Sequence, residues 1–434
     1  MDKMADVLGR AGAWCGQNKY LSAIKNAFQN FMPLTIAGAI GVLWCNVLVN
    51  ETTGLGMFFK PIMALDFLNP AFQAVNFCTI SCITVGITLG IAQEIGVWNM
   101  GAERAGYIPG LVGLAAWLSV TNTSHMVDGA KEAFTGIAGN ELGATGLFTG
   151  MIIGVLSVEL FCFFEKQDAL KIKMPEQVPP GVARAFEVLV PATITLIITA
   201  CIGSACYNLT GLYLNDVIKN GIQGPLGAVG ATIPGVMIIY LVIMLFWLVG
   251  IHGNNMLSAV KEALFTPLAL ENVEAFNKHQ TPKNIINMYA LQMWGEFGGS
   301  GVTIGLVIAI MIFGKREDNK AIATLSLVPG LFNINETVTF GIPMVLNPIL
   351  GIPFVFACLV TILVGYVLTV IGFCPVACLT VPWTCPPIVF GFLACGANVM
   401  GAVTQAILIV VSTVIYVPFL ISYEKYQNKQ AAEA

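Results

Sequence analysis

The stretch "PGLFNINETVTFGIPMVLNPILG", residues 329–351, places one carboxylate, Glu336, at the start of a long apolar region. No Asp, Glu, Lys or Arg occurs from Thr337 to Tyr423, and the next charged side chain is Glu424. Exclusion of charge over such a length is typical of membrane spans, where an ionisable residue is costly and usually functional. Glu336, with Asn335 before it, is therefore a candidate for a site inside a membrane protein.

The composition of the whole chain agrees with a membrane location. Of its 434 residues, 56% are hydrophobic and 10% are charged, whereas soluble domains carry about 25% charged residues. A spanning helix needs about 20 mainly apolar residues, and the chain contains many such windows. Short alternating strands of the outer-membrane barrel type are missing from the sequence. The predicted fold class is an all-α polytopic membrane protein.

The apolar windows predict about ten transmembrane helices. Shorter apolar pieces at 338–350 and 376–395 are interrupted by Pro and Gly and do not read as plain spans. The predicted spans cover residues 33–50, 71–93, 105–121, 143–164, 186–208, 225–250, 297–314, 321–334, 352–373 and 398–422.

A polar stretch at 165–185 separates the first four spans from the rest of the chain. The predicted organisation places an amphipathic N-terminal segment at 1–32, which lies on the membrane surface or forms an ordinary cytoplasmic lead-in helix. Two transmembrane halves follow at 33–215 and 216–423. The remaining residues, 424–434, form a cytoplasmic tail.

Basic residues predict the orientation of the chain. Lys19 before the first span and Lys166 after the fourth both belong on the cytoplasmic side, and four crossings separate them. The same counting places Lys315 on the outer side if 297–314 crosses the membrane once. A re-entrant hairpin within 252–345 would remove that conflict, because broken polar motifs of this kind form such hairpins.

The remaining composition gives no sign of other ligands. The net charge of −4 and the lack of a basic cluster predict no nucleic-acid partner. Most cysteines lie in apolar runs, where they act as small hydrophobic residues. Cys374, Cys378 and Cys385 have no neighbouring His or carboxylate, so neither a metal site nor any other cofactor is predicted.

A second polar island, "WLVGIHGNNM" at residues 247–256, contains His252. No charged residue occurs from Asn220 to Val260, so His252 is the one titratable group of its segment. Glycines on both sides indicate a helix break, and Asn254 adds hydrogen-bonding groups. A lone histidine is often a satisfied core residue, but this pattern favours contact with a ligand.

Aromatic and small residues extend the candidate site. Trp247 and Trp383 suit stacking on the apolar faces of sugar rings, although interfacial tryptophans are the common alternative. Gly299 and Ser300 lie in "GGSGVTIG", which predicts either a ligand loop or close helix packing.

The combined groups are amides, hydroxyls, one carboxylate, one imidazole and aromatic planes, which fit a polyhydroxylated neutral solute better than an ion. The other charges near span ends, Glu296 and Arg104, are predicted to lie on loop surfaces.

Three motifs carry a resemblance to a known family. In chain order, "GIHGNN", "GGSGVTIGL" and "PGLFNINETVTFGIPMVLNPILGIPF" resemble the sugar-translocating enzyme IIC of the bacterial phosphoenolpyruvate-dependent phosphotransferase system. The nearest branch is the lactose, cellobiose and N,N'-diacetylchitobiose group. The chain departs from the family pattern at Thr337, where the family usually has Pro, and around Glu296.

The resemblance implies a homodimer in the bacterial inner (cytoplasmic) membrane. Its first five spans would form the dimer interface, and later spans with two re-entrant hairpins would hold the sugar and move as an elevator. His252 and Glu336 would bind the sugar and act in catalysis. A phosphocysteine on a cytosolic IIB protein, itself supplied by IIA, would phosphorylate the sugar at C6. The sequence does not distinguish cellobiose from diacetylchitobiose or related sugars.

Two other functions remain open at this point. A proton-coupled sugar symporter would use Glu336 or His252 as a proton carrier and would release the sugar unmodified. A haem-binding redox subunit would need paired histidines on facing spans, and the sequence supports it poorly.

Overall fold

A computed structural model describes residues 10, 14, 17–51, 55–57, 59–125, 134–175, 177–225, 230–342, 344 and 347–433. This part of the chain is mainly α-helical, with one short antiparallel pair of strands, Ser124–His125 and Phe134–Thr135. Five of the described helices are long and apolar enough to cross a membrane, or up to seven spans if each of two bent helix pairs counts as one. The prediction of an all-α polytopic membrane fold is confirmed at this level. The count of ten spans and the re-entrant hairpins stay predictions.

Long helices alternate with short helical segments, as expected for a chain with many Gly and Pro residues. The α-helices are α1 (Lys19–Leu43), α2 (Asn69–Asn76), α3 (Ile83–Met100), α4 (Ala102–Ala105), α5 (Ile108–Val120), α6 (Gly139–Leu142), α7 (Ala144–Glu165), α8 (Pro180–Thr210), α9 (Leu214–Ile218), α10 (Ile233–Leu248), α11 (Gly253–Met256), α12 (Ser258–Asn277), α13 (Met288–Gly295), α14 (Ile304–Phe313), α15 (Glu317–Leu331), α16 (Glu336–Gly341), α17 (Gly351–Val370), α18 (Val389–Ala394) and α19 (Val399–Glu433). The 3₁₀ segments are Leu55–Met57, Lys60–Leu68, Asp168–Leu170 and Ser300–Val302, and the π-helical segments are Trp44–Leu48, Phe77–Ser81 and Lys219–Gln223.

The chain divides into two compact units. An N-terminal unit comprises Gln17–Gly38 and Ala74–Ala228, and a C-terminal unit comprises Ala39–Gln73 and Val229–Ala434. Helix α1 begins at Lys19 and continues through the predicted boundary after residue 32. Most of residues 1–16 lie outside the described part of the chain. Dimerisation by 33–215 and sugar binding by 216–423 stay predictions.

Small side chains let the helices of the N-terminal unit approach each other closely. A Cβ added at Gly150 of α7 would come within 2.9 Å of Thr84 Cγ2 on α3. The Thr84 hydroxyl donates to the Gly143 carbonyl at 2.7 Å. Packing of this kind replaces the hydrophobic driving force that helices lack inside lipid.

An ion-pair network lies at one end of the same unit. Arg104 Nε and Arg184 Nη1 contact the same Glu165 oxygen at 2.8 Å and 2.9 Å. Glu165 is buried, whereas the Arg104 side chain is 46% exposed, so Arg104 lies at the surface as predicted, although on the short helix α4 rather than in a loop.

A sharp bend interrupts the C-terminal unit between α13 and α14. The two helical segments, Met288–Val302 and α14, meet at 59°. Gly299 and Gly301 in the bend have φ angles of +86° and +75°, a region that only glycine enters readily. Tyr416 of α19 donates its hydroxyl proton to the Gly301 carbonyl at 2.7 Å. The bend therefore holds irregular backbone inside the unit, supported by a neighbouring side chain.

The turn between α14 and α15 lies beside the C-terminal end of α19. Buried Glu424 accepts hydrogen bonds from the backbone N–H groups of Lys315 at 2.8 Å and Arg316 at 3.3 Å. Lys315 is thus at the same end of the unit as the tail that follows residue 423. If that tail is cytoplasmic, as predicted, Lys315 obeys the positive-inside rule.

Candidate functional site

His252 lies at the break between α10 and α11, where it is the N-cap residue of α11. The Asn255 N–H is shared between two acceptors, the His252 carbonyl at 3.0 Å and His252 Nδ1 at 3.2 Å. Because Nδ1 accepts this bond, the proton of the neutral imidazole is on Nε2. The helix break thus fixes the tautomer and makes Nε2 a hydrogen-bond donor.

Glu336, the first residue of α16, faces that donor. Its Oε1 atom is 4.0 Å from His252 Nε2, and the side chains of His252 and Glu336 are 39% and 48% exposed. A separation of 4.0 Å is too long for a good direct hydrogen bond. A hydroxyl oxygen fits between them at about 2.8 Å from each atom. The pair is therefore arranged as a receptor for one hydroxyl group.

Trp247, the penultimate residue of α10, packs against the imidazole. The ring centroids of Trp247 and His252 are 4.4 Å apart with an interplanar angle of 49°, and Phe354 contacts the indole edge-on at 6.5 Å. Trp247 is buried, so it does not belong to an interfacial belt. Its Nε1–H has no hydrogen-bond partner among the described residues. The indole ring therefore packs against one face of the His252 imidazole.

Residues 298–300 and Asn335 pack together next to Glu336. Asn335 Nδ2 donates to the Ser300 carbonyl at 2.8 Å, and Asn254 Nδ2 donates to Ser300 Oγ at 2.9 Å. A Cβ at Gly299 would lie 2.6 Å from Asn335 Cβ. Only glycine permits this close approach, so Gly299 is needed for packing within the site. Ser300 links Asn254 on one segment to Asn335 on another.

Trp383 connects to the site through its backbone. Asn333 Nδ2 donates to the carbonyls of Trp383 and Cys385, the latter at 3.0 Å, and Asn333 Oδ1 accepts from the Gly298 N–H at 2.6 Å. Asn333 has a φ angle of +63°, which asparagine tolerates better than most residues. The Trp383 side chain is 46% exposed. Asn333 therefore ties three separate segments together beside Glu336.

A buried ion pair also borders the site. Lys261 of α12 contacts the carboxylate of Glu296, and their side chains are 7% and 17% exposed. The Tyr240 hydroxyl donates to Glu296 Oε1 at 2.7 Å. The prediction that Glu296 lies on a loop surface is wrong, because it lies just after α13 where Lys261 and Tyr240 cover it.

The structure brings most of the predicted site residues into one cluster. Direct contacts link Trp247 to His252, Asn254 to Ser300, and Ser300 to Asn335, while Glu336 faces His252. Trp383 joins only through Asn333. Lys261 and Tyr240 were not predicted, and the one sequence signal for Lys261 is that it ends the charge-free stretch after Asn220.

The cluster offers hydrogen-bond donors and acceptors, one carboxylate and one neutral imidazole. Among the described residues, no group of three or more His, Cys, Asp or Glu side chains is placed to hold a metal ion. The arrangement suits binding of a hydroxyl group and removal of its proton by Glu336.

Comparison with known proteins identifies the relatives of this fold. Residues 25–358 match the family model described as "Phosphotransferase system, EIIC". The chain is 32% identical to the oligo-beta-mannoside-specific EIIC component of Bacillus subtilis over 429 residues, which cover 98% of this chain and 94% of the relative. It is 29% identical to the cellobiose-specific EIIC component of Lactococcus lactis, covering 98% of each.

A solved structure shares the fold over nearly the whole chain. The crystal structure of the transporter ChbC, the IIC component from the N,N'-diacetylchitobiose-specific phosphotransferase system, superposes with a TM-score of 0.88. The two chains are 29% identical, and the match covers 97% of each. The resemblance found in the sequence motifs is confirmed, and the relatives do not favour a proton-coupled symporter.

Proposed function

The chain belongs to the EIIC family of the phosphotransferase system, and we propose that it binds a disaccharide and presents its C6 hydroxyl to a phosphorylated IIB protein. The observation that carries this proposal is the 4.0 Å gap between His252 Nε2 and Glu336 Oε1. A sugar hydroxyl in this gap accepts a hydrogen bond from Nε2–H and donates its own proton to the Glu336 carboxylate. Because Nε2 carries the proton in the fixed tautomer of His252, the hydroxyl accepts from His252 and donates to Glu336.

The proposed reaction transfers a phosphoryl group from a cysteine of IIB to the sugar. The C6 oxygen attacks phosphorus, a new P–O bond forms, the S–P bond breaks, and the cysteine leaves as a thiolate. Glu336 takes the hydroxyl proton. Holding the oxygen in line and removing its proton are the two contributions of this chain. His252 orients the hydroxyl and does not carry phosphate.

A disaccharide of the cellobiose or diacetylchitobiose type is the proposed substrate. The relatives are named for oligo-beta-mannosides, cellobiose and N,N'-diacetylchitobiose. Trp383, with its exposed indole beside the Asn333 turn, can stack on a sugar ring that extends away from the His252–Glu336 pair. Asn254, Ser300 and Asn335 form a hydrogen-bonded group next to the His252–Glu336 pair, in which Ser300 and Asn335 are buried.

The working assembly proposed here is a homodimer in the bacterial inner membrane. Residues 33–215 would form the dimerisation half and 216–423 the sugar-binding half, with two re-entrant hairpins and elevator movement. IIB is the direct cytosolic partner, and IIA supplies its phosphate. The apolar helices and the membership in a membrane permease family support the location.

We expect sugar accumulation in vesicles to require phosphoenolpyruvate and the phosphate-carrying proteins, because the sugar is modified as it crosses. The measurement is uptake of labelled cellobiose and diacetylchitobiose by inverted and right-side-out vesicles, with product analysis for sugar phosphate. A thermal-shift panel of sugars on the purified protein first selects the substrate. Uptake of unmodified sugar driven by a proton gradient alone would contradict the proposal and support a symporter.

A further inference from the structure

The Lys261–Glu296 ion pair is the only described pair of opposite charges in which both side chains lie near the site and are mostly covered. Lys261 and Glu296 expose 7% and 17% of their side chains. Charged groups removed from water are retained only when they are paired and hydrogen-bonded. Tyr240 supplies a further hydrogen bond to Glu296 at 2.7 Å. A purely apolar contact would hold these helices together without the free-energy cost of removing two charges from water. The presence of both charges therefore indicates a role other than packing.

A chain of hydrogen bonds leads from this pair to residues that adjoin His252 and Glu336. Lys261 Nζ donates to Asn254 Oδ1 at 3.4 Å. Asn254 Nδ2 donates to Ser300 Oγ at 2.9 Å, and the Ser300 carbonyl accepts from Asn335 at 2.8 Å. Asn254 is two residues after His252, and Asn335 precedes Glu336. The chain therefore reaches both sides of the proposed hydroxyl receptor.

The ammonium group of Lys261 determines the orientation of the Asn254 side-chain amide. A carboxamide has an oxygen that only accepts and a nitrogen that only donates. With Lys261 beside it, Oδ1 faces the ammonium and Nδ2–H faces Ser300. Ser300 Oγ then accepts from Asn254, so the orientation of this amide also determines the position of the buried Ser300 side chain. Glu296 compensates the charge of Lys261 and holds the ammonium in place.

We infer that Lys261 and Glu296 are positioning residues of the sugar site, which fix the Asn254 amide and, through it, Ser300 and Asn335 next to His252 and Glu336. This inference rests on the proposed function for the identity of the ligand as a sugar. Neither residue contacts the acceptor hydroxyl, so both act on sugar binding rather than on phosphoryl transfer.

The test is sugar binding by calorimetry to the full-length protein in detergent, with the sugar selected by the thermal-shift panel. Lys261→Met is expected to raise Kd by about tenfold or more, since Asn254 loses the donor that orients it. In the coupled assay with phosphorylated IIB, KM should rise similarly while kcat at saturating sugar stays within about twofold. A loss of kcat with unchanged KM would overturn the positioning role.

The double variant Lys261→Met/Glu296→Gln separates positioning from folding. Each single variant leaves one buried charge unpaired and should lower the unfolding temperature. The double variant removes both charges and should regain the wild-type unfolding temperature, yet it should still bind sugar as weakly as Lys261→Met. Lys19→Met is the matched control, because Lys19 pairs with Glu159 at 2.6 Å in the N-terminal unit, and its sugar affinity should equal that of the wild type.

The two ideas fail in different ways. Wild-type affinity for sugar in the double variant would overturn the positioning role and leave the proposed function intact. Sugar binding by the wild-type protein without any phosphorylation by IIB would overturn the proposed function, while a raised Kd in the double variant would still support positioning.

Discussion

Replacement of Glu336 by Gln is expected to lower the rate of sugar phosphorylation by about 10²–10⁴-fold, the usual contribution of a positioned general base. Gln has the same shape, and its amide oxygen can still accept a hydrogen bond from the hydroxyl. It cannot take the proton. Sugar affinity should therefore change by less than about tenfold, and the loss should appear in kcat. The measurement is sugar phosphate formed from phosphorylated IIB in proteoliposomes.

Glu317→Gln provides the matched control for this variant. Glu317 begins α15 in the same unit, and its side chain is 86% exposed, so the same chemical change should leave the rate unaltered. A wild-type rate in Glu336→Gln, with an unchanged unfolding temperature, would remove Glu336 from the role of base.

His252→Ala is expected to raise the Kd for sugar by about 10–100-fold. The variant loses the Nε2–H donor, and a sugar hydroxyl left unpaired after the bound sugar has displaced water costs about 1–3 kcal/mol. It also loses the ring that packs on Trp247 at 4.4 Å and the acceptor that caps α11. Calorimetry with the purified protein measures the affinity directly.

His279→Ala is the corresponding control for the histidine variant. His279 follows α12 in an exposed loop with a φ angle of +53°, away from the described site contacts. Its replacement should leave Kd unchanged. Equal affinity of His252→Ala and wild type for the sugar would exclude His252 from the binding site.

Sequence reasoning selected His252 and Glu336 because each is the isolated ionisable group of an apolar stretch. Such isolation is visible in the sequence. It is informative because a charged side chain without a function is costly inside a membrane and is therefore rarely found there. The 4.0 Å separation of their atoms depends on how α11 and α16 pack. The separation of residues 252 and 336 along the sequence does not determine this distance in space.

The ion pair of Lys261 and Glu296 was not predicted for a related reason. Each residue flanks an apolar segment, where a charge most often lies in water. Burial of both requires α12 and the end of α13 to meet, with Tyr240 beside them. This is a tertiary contact between segments 35 residues apart in sequence. Likewise, the hydrogen bonds of Asn333 to Gly298 and Cys385 form only where three separate segments meet.

The span count illustrates another limit of the sequence. The predicted span 297–314 begins within the bend at Gly299 and Gly301, so the helix itself starts only at Ile304. Hydropathy averages over the glycine-rich loop and joins it to α14. Positive φ angles at the two glycines break the helix in a way that apolar content does not reveal.

The central claim is that one sugar hydroxyl lies between His252 and Glu336. The most direct test compares by calorimetry the Kd of the selected sugar and of its C6-deoxy analogue, in the wild type and in His252→Ala/Glu336→Gln. The wild type should bind the deoxy analogue about tenfold or more weakly, and the double variant should bind both sugars equally. If the double variant still discriminates between the two sugars as the wild type does, the hydroxyl lies elsewhere.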